Sequence, residues 1–154
     1  MLLFYLLLVK VKQDVPALYY KTMQSLGPYL KKLRVPNIFS GEDMTSDPLL
    51  AQQFDTDPLI PNFITYNLLI QTLEHSKQIR SLAYFINVPT LFLIPGLDDV
   101  VDNEVSLLFA NGISDDLVTV LKYPQMKHEI FNEVDRTKVF HDVDLWLKKI
   151  EARQ

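Results

Sequence analysis

The chain has 154 residues, 48% hydrophobic and 22% charged, enough for one domain with a real core and ordinary for a globular protein. Its net charge of −4, without a basic patch interleaved with aromatic residues, excludes the usual signature of a nucleic-acid binder. Without cysteine there are no disulfides or thiolate metal sites, and His75, His128 and His141 stand at no metal-ligand spacing, so neither a metal nor an organic cofactor is expected.

Residues 1–9 are nearly all apolar. The run is far shorter than the roughly 20 residues of a membrane-spanning helix. Lys10 and Lys12 come after it rather than before it, so it lacks the basic start of a signal peptide. It reads as a buried strand, residues 1–12 forming the first of three regions; the alternative is a signal-like or membrane-associating segment. The second region, residues 13–86, is expected to be mainly helical. Gln13-Asp14-Val15-Pro16 reads as a loop, and Tyr19, Met23, Leu26, Leu30 and Leu33 then share one helix face, with a kink expected at Gly27-Pro28. Pro36, Gly41, Pro48, Pro58 and Pro61 punctuate the next stretch, with a short helix predicted over residues 49–54. Ile64, Leu68, Leu69 and Leu73 predict a helix from Phe63, and Ile79, Leu82 and Phe85 a second helical segment.

The third region, residues 87–154, has the clearest pattern. Thr90-Leu91-Phe92-Leu93-Ile94 has no polar alternation, as in a strand covered on both faces, and Pro95-Gly96 ends it. Val101, Val105, Leu108 and Phe109 predict the buried face of a helix capped by Asp102 and stopped at Asn111-Gly112. Residues 117–123, rich in β-branched side chains, predict a second strand, and residues 124–133 a loop containing His128. A closing helix is expected to bury Val139, Val143, Trp146, Leu147 and Ile150, with Asp135 as its cap and Lys148 and Lys149 at its C-terminal end. Strand, helix, strand, helix is an α/β order with parallel strands and flanking helices.

Working residues of open α/β sheets lie just past the carboxyl ends of strands. Asp98 and Asp99 hold that place after one strand and His128 after the next. Loops of adjacent parallel strands share one edge of the sheet, which brings an aspartate and the imidazole within reach. An aspartate accepting the Nδ1–H leaves Nε2 as a general base. Judged singly, either residue also has a plain structural reading, the aspartate as a helix cap and the histidine as a satisfied loop residue.

These residues resemble a family. Pro89 to Val101, the Tyr123–Glu133 segment with His128, and the closing Val143-Asp144-Leu145-Trp146-Leu147 look like the C-terminal half of an α/β-hydrolase, nearest to monoacylglycerol lipases and lysophospholipases grouped with serine aminopeptidase-like hydrolases. Arg34-Val35-Pro36-Asn37, Thr45-Ser46-Asp47-Pro48 and Asp57-Pro58-Leu59 resemble the helical cap, or lid, of that family. The resemblance implies a partial α/β-hydrolase fold with Asp99, fourth in Gly96-Leu97-Asp98-Asp99, as acid and His128 as base, and no cofactor. The family's chain order is serine, acid, histidine, with the serine in a Gly-x-Ser-x-Gly elbow. This sequence has no such elbow, Ser40-Gly41 being one of several serine contexts that do not fit.

The expected function is therefore the C-terminal portion of a carboxylic ester hydrolase acting on a lipid-like ester, cytoplasmic or peripheral to a membrane surface. Alone it is expected to lack turnover. The alternatives are an inactive fragment that binds lipid or protein, self-associating through exposed sheet edges, and one half of a split enzyme completed by an N-terminal half. The Tyr19–Tyr29 face reads as packing or, by family analogy, as the wall of an acyl-chain funnel.

Overall fold

The computed structural model describes residues 2–5, 25 and 29–153. In chain order its elements are β1 (Leu2–Tyr5), β2 (Arg34–Pro36), α1 (Gly41–Met44), α2 (Pro48–Thr56), β3 (Phe63–Thr65), α3 (Tyr66–Gln78), a 3-10 turn at Ile79–Phe85, β4 (Thr90–Pro95), α4 (Asn103–Ala110), β5 (Val118–Tyr123), a 3-10 turn at Ile130–Asn132 and α5 (Arg136–Glu151). The predicted loop at residues 13–16, most of the helix face from Tyr19 to Leu30, its kink and the funnel reading lie outside the described residues.

The main sheet is parallel, in the order β1-β4-β5. Leu2 lies opposite Thr90 across one ladder, and Thr90 opposite Val118 across the other. The apolar run at the chain's start is thus a strand over Leu2–Tyr5. Every residue of β4 is buried, as its unbroken apolar pattern requires. Its side chains alternate between two cores. Leu91 and Leu93 point to one face, where α5 adds Val139, Trp146 and Ile150. Phe92 and Ile94 point to the other, where α4 adds Phe109 and Ala110. At about 1.5–3 kcal/mol for each fully buried large apolar side chain, these layers hold the sheet's centre.

Helix α4 starts where expected, with the Asp102 carboxylate accepting from the Glu104 N–H at 3.1 Å. Val101, Val105 and Phe109 are buried, but Leu108 is 59% exposed, its position turned away from the sheet. In α5, Val139, Trp146 and Ile150 are buried and Val143 and Leu147 half-buried against the same core. Asp135 sits at its N-cap without making a side-chain capping bond. Helix α2 begins at the Ser46-Asp47-Pro48 signal, Asp47 accepting from the N–H groups of Leu49 and Leu50.

Between residues 63 and 85 one expectation fails and another holds only in part. Phe63–Thr65 is a strand, paired antiparallel with β2 in a separate two-stranded sheet, and α3 starts only at Tyr66. Tyr66 and Ile70, rather than Leu68, form its buried positions. The second helical segment is present as a 3-10 helix over Ile79–Phe85, but Ala83 is buried while Leu82 and Phe85 are exposed. Leu82 and Phe85, three residues apart, both look outward. Ala83 instead fits beside Gly112, where an added Cβ would come within 2.8 Å of it. No helix among the described residues is long and apolar enough to cross a membrane.

Candidate active site

The site forms where the segments after β4 and β5 meet. Parallel pairing carries both strands to the same edge, Pro95 opposite Tyr123. Past that edge the two loops stay bonded: the Gly96 N–H donates to the Tyr123 carbonyl at 2.8 Å and the Leu97 N–H to the Met126 carbonyl at 2.9 Å. The approach leaves no room for a side chain, since a Cβ on Gly96 would sit 2.4 Å from the Pro124 carbonyl oxygen.

The next residue, Asp98, turns its carboxylate inward. Its Oδ1 accepts from the N–H groups of Val100 at 2.8 Å and Val101 at 2.9 Å. The same carboxylate faces His128, with Nδ1 3.0 Å from Oδ1 and 3.1 Å from Oδ2. Both side chains are withdrawn from water, 7% exposed for His128 and 2% for Asp98. A carboxylate only accepts, so Nδ1 carries the proton in this bond and Nε2 is left as the acceptor nitrogen. This arrangement can hold an imidazole in one tautomer and stabilise it once it is protonated.

The partner of His128 is therefore Asp98, not the expected Asp99. Asp99 is exposed, while Asp98 is buried. The reason is local: Leu97 is tied to Met126, so the chain reaches the imidazole with the very next side chain. A signal was present in the residues. Asp98 precedes an apolar pair, Val100-Val101, that buries itself, and a carboxylate bonding the N–H groups two and three residues on makes a local turn.

Glu133 is buried and accepts a hydrogen bond from the Lys127 N–H beside His128. His141 is exposed, and the His75 side chain lies outside the described residues. Clefts of about 560 and 330 Å³ flank the His128 loop, the first against Tyr123 and Met126, the second against Phe54 and Glu129. Neither is lined by His128 or Asp98. Among the described residues no group of three or more His, Asp or Glu side chains is placed to hold a metal ion.

A family model described as serine aminopeptidase, S33, matches residues 7–135. The uncharacterized protein YnbC of Escherichia coli K12 is 27% identical over 114 residues, which are 74% of this chain and 20% of that protein. Among solved structures, the monoacylglycerol lipase of Paleococcus ferrophilus superposes with a TM-score of 0.79 at 19% identity, covering 90% of this chain and 54% of that one. A soluble variant of the monoglyceride lipase of Saccharomyces cerevisiae, in complex with a substrate analog, gives 0.72 at 19% identity, over 86% and 49%. A thermostable carboxyl esterase from Bacillus coagulans, in complex with glycerol, gives 0.54 at 16% identity, over 85% and 51%. The chain spans about half the length of these structures and a fifth of YnbC. The fold is that of the α/β-hydrolases.

Proposed function

The chain belongs to the serine aminopeptidase S33 family of hydrolases, and from that premise we propose that it supplies the acid and the base of a serine ester hydrolase acting on monoacylglycerol- or lysophospholipid-like substrates. The observation that supports this reading is the buried Asp98–His128 pair just past two parallel strands. The lipid-ester substrate is suggested by the two monoacylglycerol lipases whose fold the chain shares.

In this mechanism a serine hydroxyl attacks the ester carbonyl while His128 Nε2 takes its proton. His128⁺ then gives that proton to the departing glycerol-type alcohol as the carbonyl–oxygen bond breaks. Water, deprotonated by the same nitrogen, releases the fatty acid from the acyl-serine. Asp98 holds the ring in the required tautomer and stabilises its charged form. Neither a metal nor an organic cofactor takes part. The serine is not among these residues: the sequence has four glycines, Gly27, Gly41, Gly96 and Gly112, and none stand four apart as Gly-x-Ser-x-Gly demands. The nucleophile comes from polypeptide beyond these 154 residues, adding its strands at β1, which among the described residues pairs with β4 alone.

The test is hydrolysis of a monoacylglycerol and labelling by a fluorophosphonate. The 154-residue chain alone is expected to show neither. Co-expression with a segment that bears the first strands and the elbow is expected to restore both. In the restored enzyme Asp98→Asn should lower kcat by about 10³-fold or more, whereas Asp99→Asn should leave it near the unsubstituted value. Turnover by the isolated chain that disappears in His128→Ala would overturn the proposal, as would loss with Asp99→Asn instead of Asp98→Asn.

A further inference from the structure

His128 is held from both sides by a segment more than eighty residues earlier. The Lys127 N–H, just before it, donates to Glu133 Oε1 at 2.8 Å, and the Ser46 N–H donates to the same oxygen at 3.0 Å. The Glu129 N–H, just after it, donates to the Met44 carbonyl at 2.7 Å. Thr45 Oγ1 donates to the Asn132 carbonyl at 2.7 Å, and the Val134 N–H lies 3.3 Å from Glu133 Oε2. Residues 44–46 also reach the acid: Met44 packs with Val100 and Val101, the two residues whose N–H groups hold Asp98. Glu133 is 3% exposed, and burying a carboxylate is costly unless donors surround it. Three backbone N–H groups do so here, and two of them belong to the two segments being joined.

We infer that Glu133 is a positioning residue, its buried carboxylate tying the His128 loop to residues 44–46 and so setting the imidazole against Asp98. The inference rests on the reading of Asp98 and His128 as acid and base. Sequence distance explains why such a tie is needed. The loop from Pro124 to Asp135 has only one short 3-10 turn of its own; the Leu97–Met126 bond fixes its start, and Glu133 with residues 44–46 holds the part that carries His128 at 3.0 Å from Asp98. A single oxygen shared by Ser46 and Lys127 makes the position of the base depend on that of residues 44–46. Any movement of this segment is thereby passed to the imidazole.

The experiment uses the 154-residue chain labelled with ¹⁵N-histidine and needs no turnover. Its readout is the His128 Nδ1–H resonance and the exchange rate of that proton with water. Glu133→Ala removes the acceptor shared by the part-buried Ser46 and Lys127 N–H groups, and Ser46→Pro removes one donor while leaving the carboxylate; Thr45 is already extended, as a residue before proline must be. Each is expected to speed exchange by about tenfold. Glu133→Gln, which keeps an oxygen for both donors, should remain within about twofold of the unsubstituted chain. Phe109→Leu, which loosens packing in the opposite core, should leave the proton unmoved even where it lowers denaturant stability. Equal acceleration by Phe109→Leu would overturn the inference, reducing Glu133 to general stability. Unchanged exchange in both Glu133→Ala and Ser46→Pro, with a resonance still shifted by Asp98→Asn, would overturn it alone. A resonance indifferent to Asp98→Asn would instead remove the acid–base reading. Should Glu133→Ala not fold, Ser46→Pro and Glu133→Gln decide.

Discussion

Gly96 carries the tightest requirement at the scale of single residues. Its backbone passes so close to Pro124 that a methyl group would overlap main-chain atoms, which cannot swing aside as a flexible side chain would. Gly96→Ala is expected to cost about 1–3 kcal/mol in a urea titration, the range for forced overpacking. It should also disturb the His128 ring resonance, because the strain falls on the two loops that bring Asp98 to the imidazole. A variant with unchanged stability and an unchanged resonance would show that the loops have room to separate. The choice between the two adjacent carboxylates belongs to this scale as well. The spacing Gly96-Leu97-Asp98-Asp99 reads onto Asp99 when the loop is counted from the glycine. Counting from the buried Val100-Val101 pair gives Asp98, and the bonds to those N–H groups agree with the second count. His128 needed no such choice, being the one histidine in a loop after a strand.

Elements respond to burial and charge in ways that a single substitution can separate. In β4, Phe92 is almost fully buried and meets the Phe109 ring at 6.1 Å between centroids. Phe92→Ala should destabilise the chain by about 3–5 kcal/mol, read as a lower denaturant midpoint at unchanged slope. At the end of β5, burial pushes the Tyr123 phenol well above its usual range, and its hydrogen bond to Asp142, 3.1 Å away, and the charge of that carboxylate push further. The phenol thus stays neutral in the fold after it would ionise in the unfolded chain, near pH 10. Stability from this group is complete below about pH 10 and is lost as pH rises beyond it. Tyr123→Phe should therefore flatten the alkaline limb of a stability–pH curve; an identical limb in both proteins would contradict the account. Strands β4 and β5 and helix α5 were legible in the sequence because their patterns run for six residues or more. Strands β2 and β3 were not, since each has only three residues and exists through a partner about thirty positions away.

For the whole molecule, the question is what covers its open surfaces. β1 ends the main sheet among the described residues, and Tyr84 and Phe85 are 86% and 72% exposed. Apolar side chains of that size at the surface favour association, as does a strand edge left open. The isolated chain is expected to elute above its monomer mass in size-exclusion chromatography with light scattering. Adding the elbow-bearing segment should convert it to a one-to-one complex. A stable monomer that ignores the added segment would argue against completion at β1.

The sequence by itself determined the order of elements in the α/β part, the buried central strand, the presence of an acid and an imidazole after successive strands, and the absence of a nucleophile elbow. Each of these is written in local pattern: unbroken apolar runs, turn residues, and four glycines at known places. Only the tertiary structure decided which carboxylate meets His128, and that Glu133 and residues 44–46 hold the loop in which it sits. Those outcomes depend on hydrogen bonds between residues 30 and 87 positions apart, whose geometry is set by strand pairing and backbone approach and not by local pattern alone.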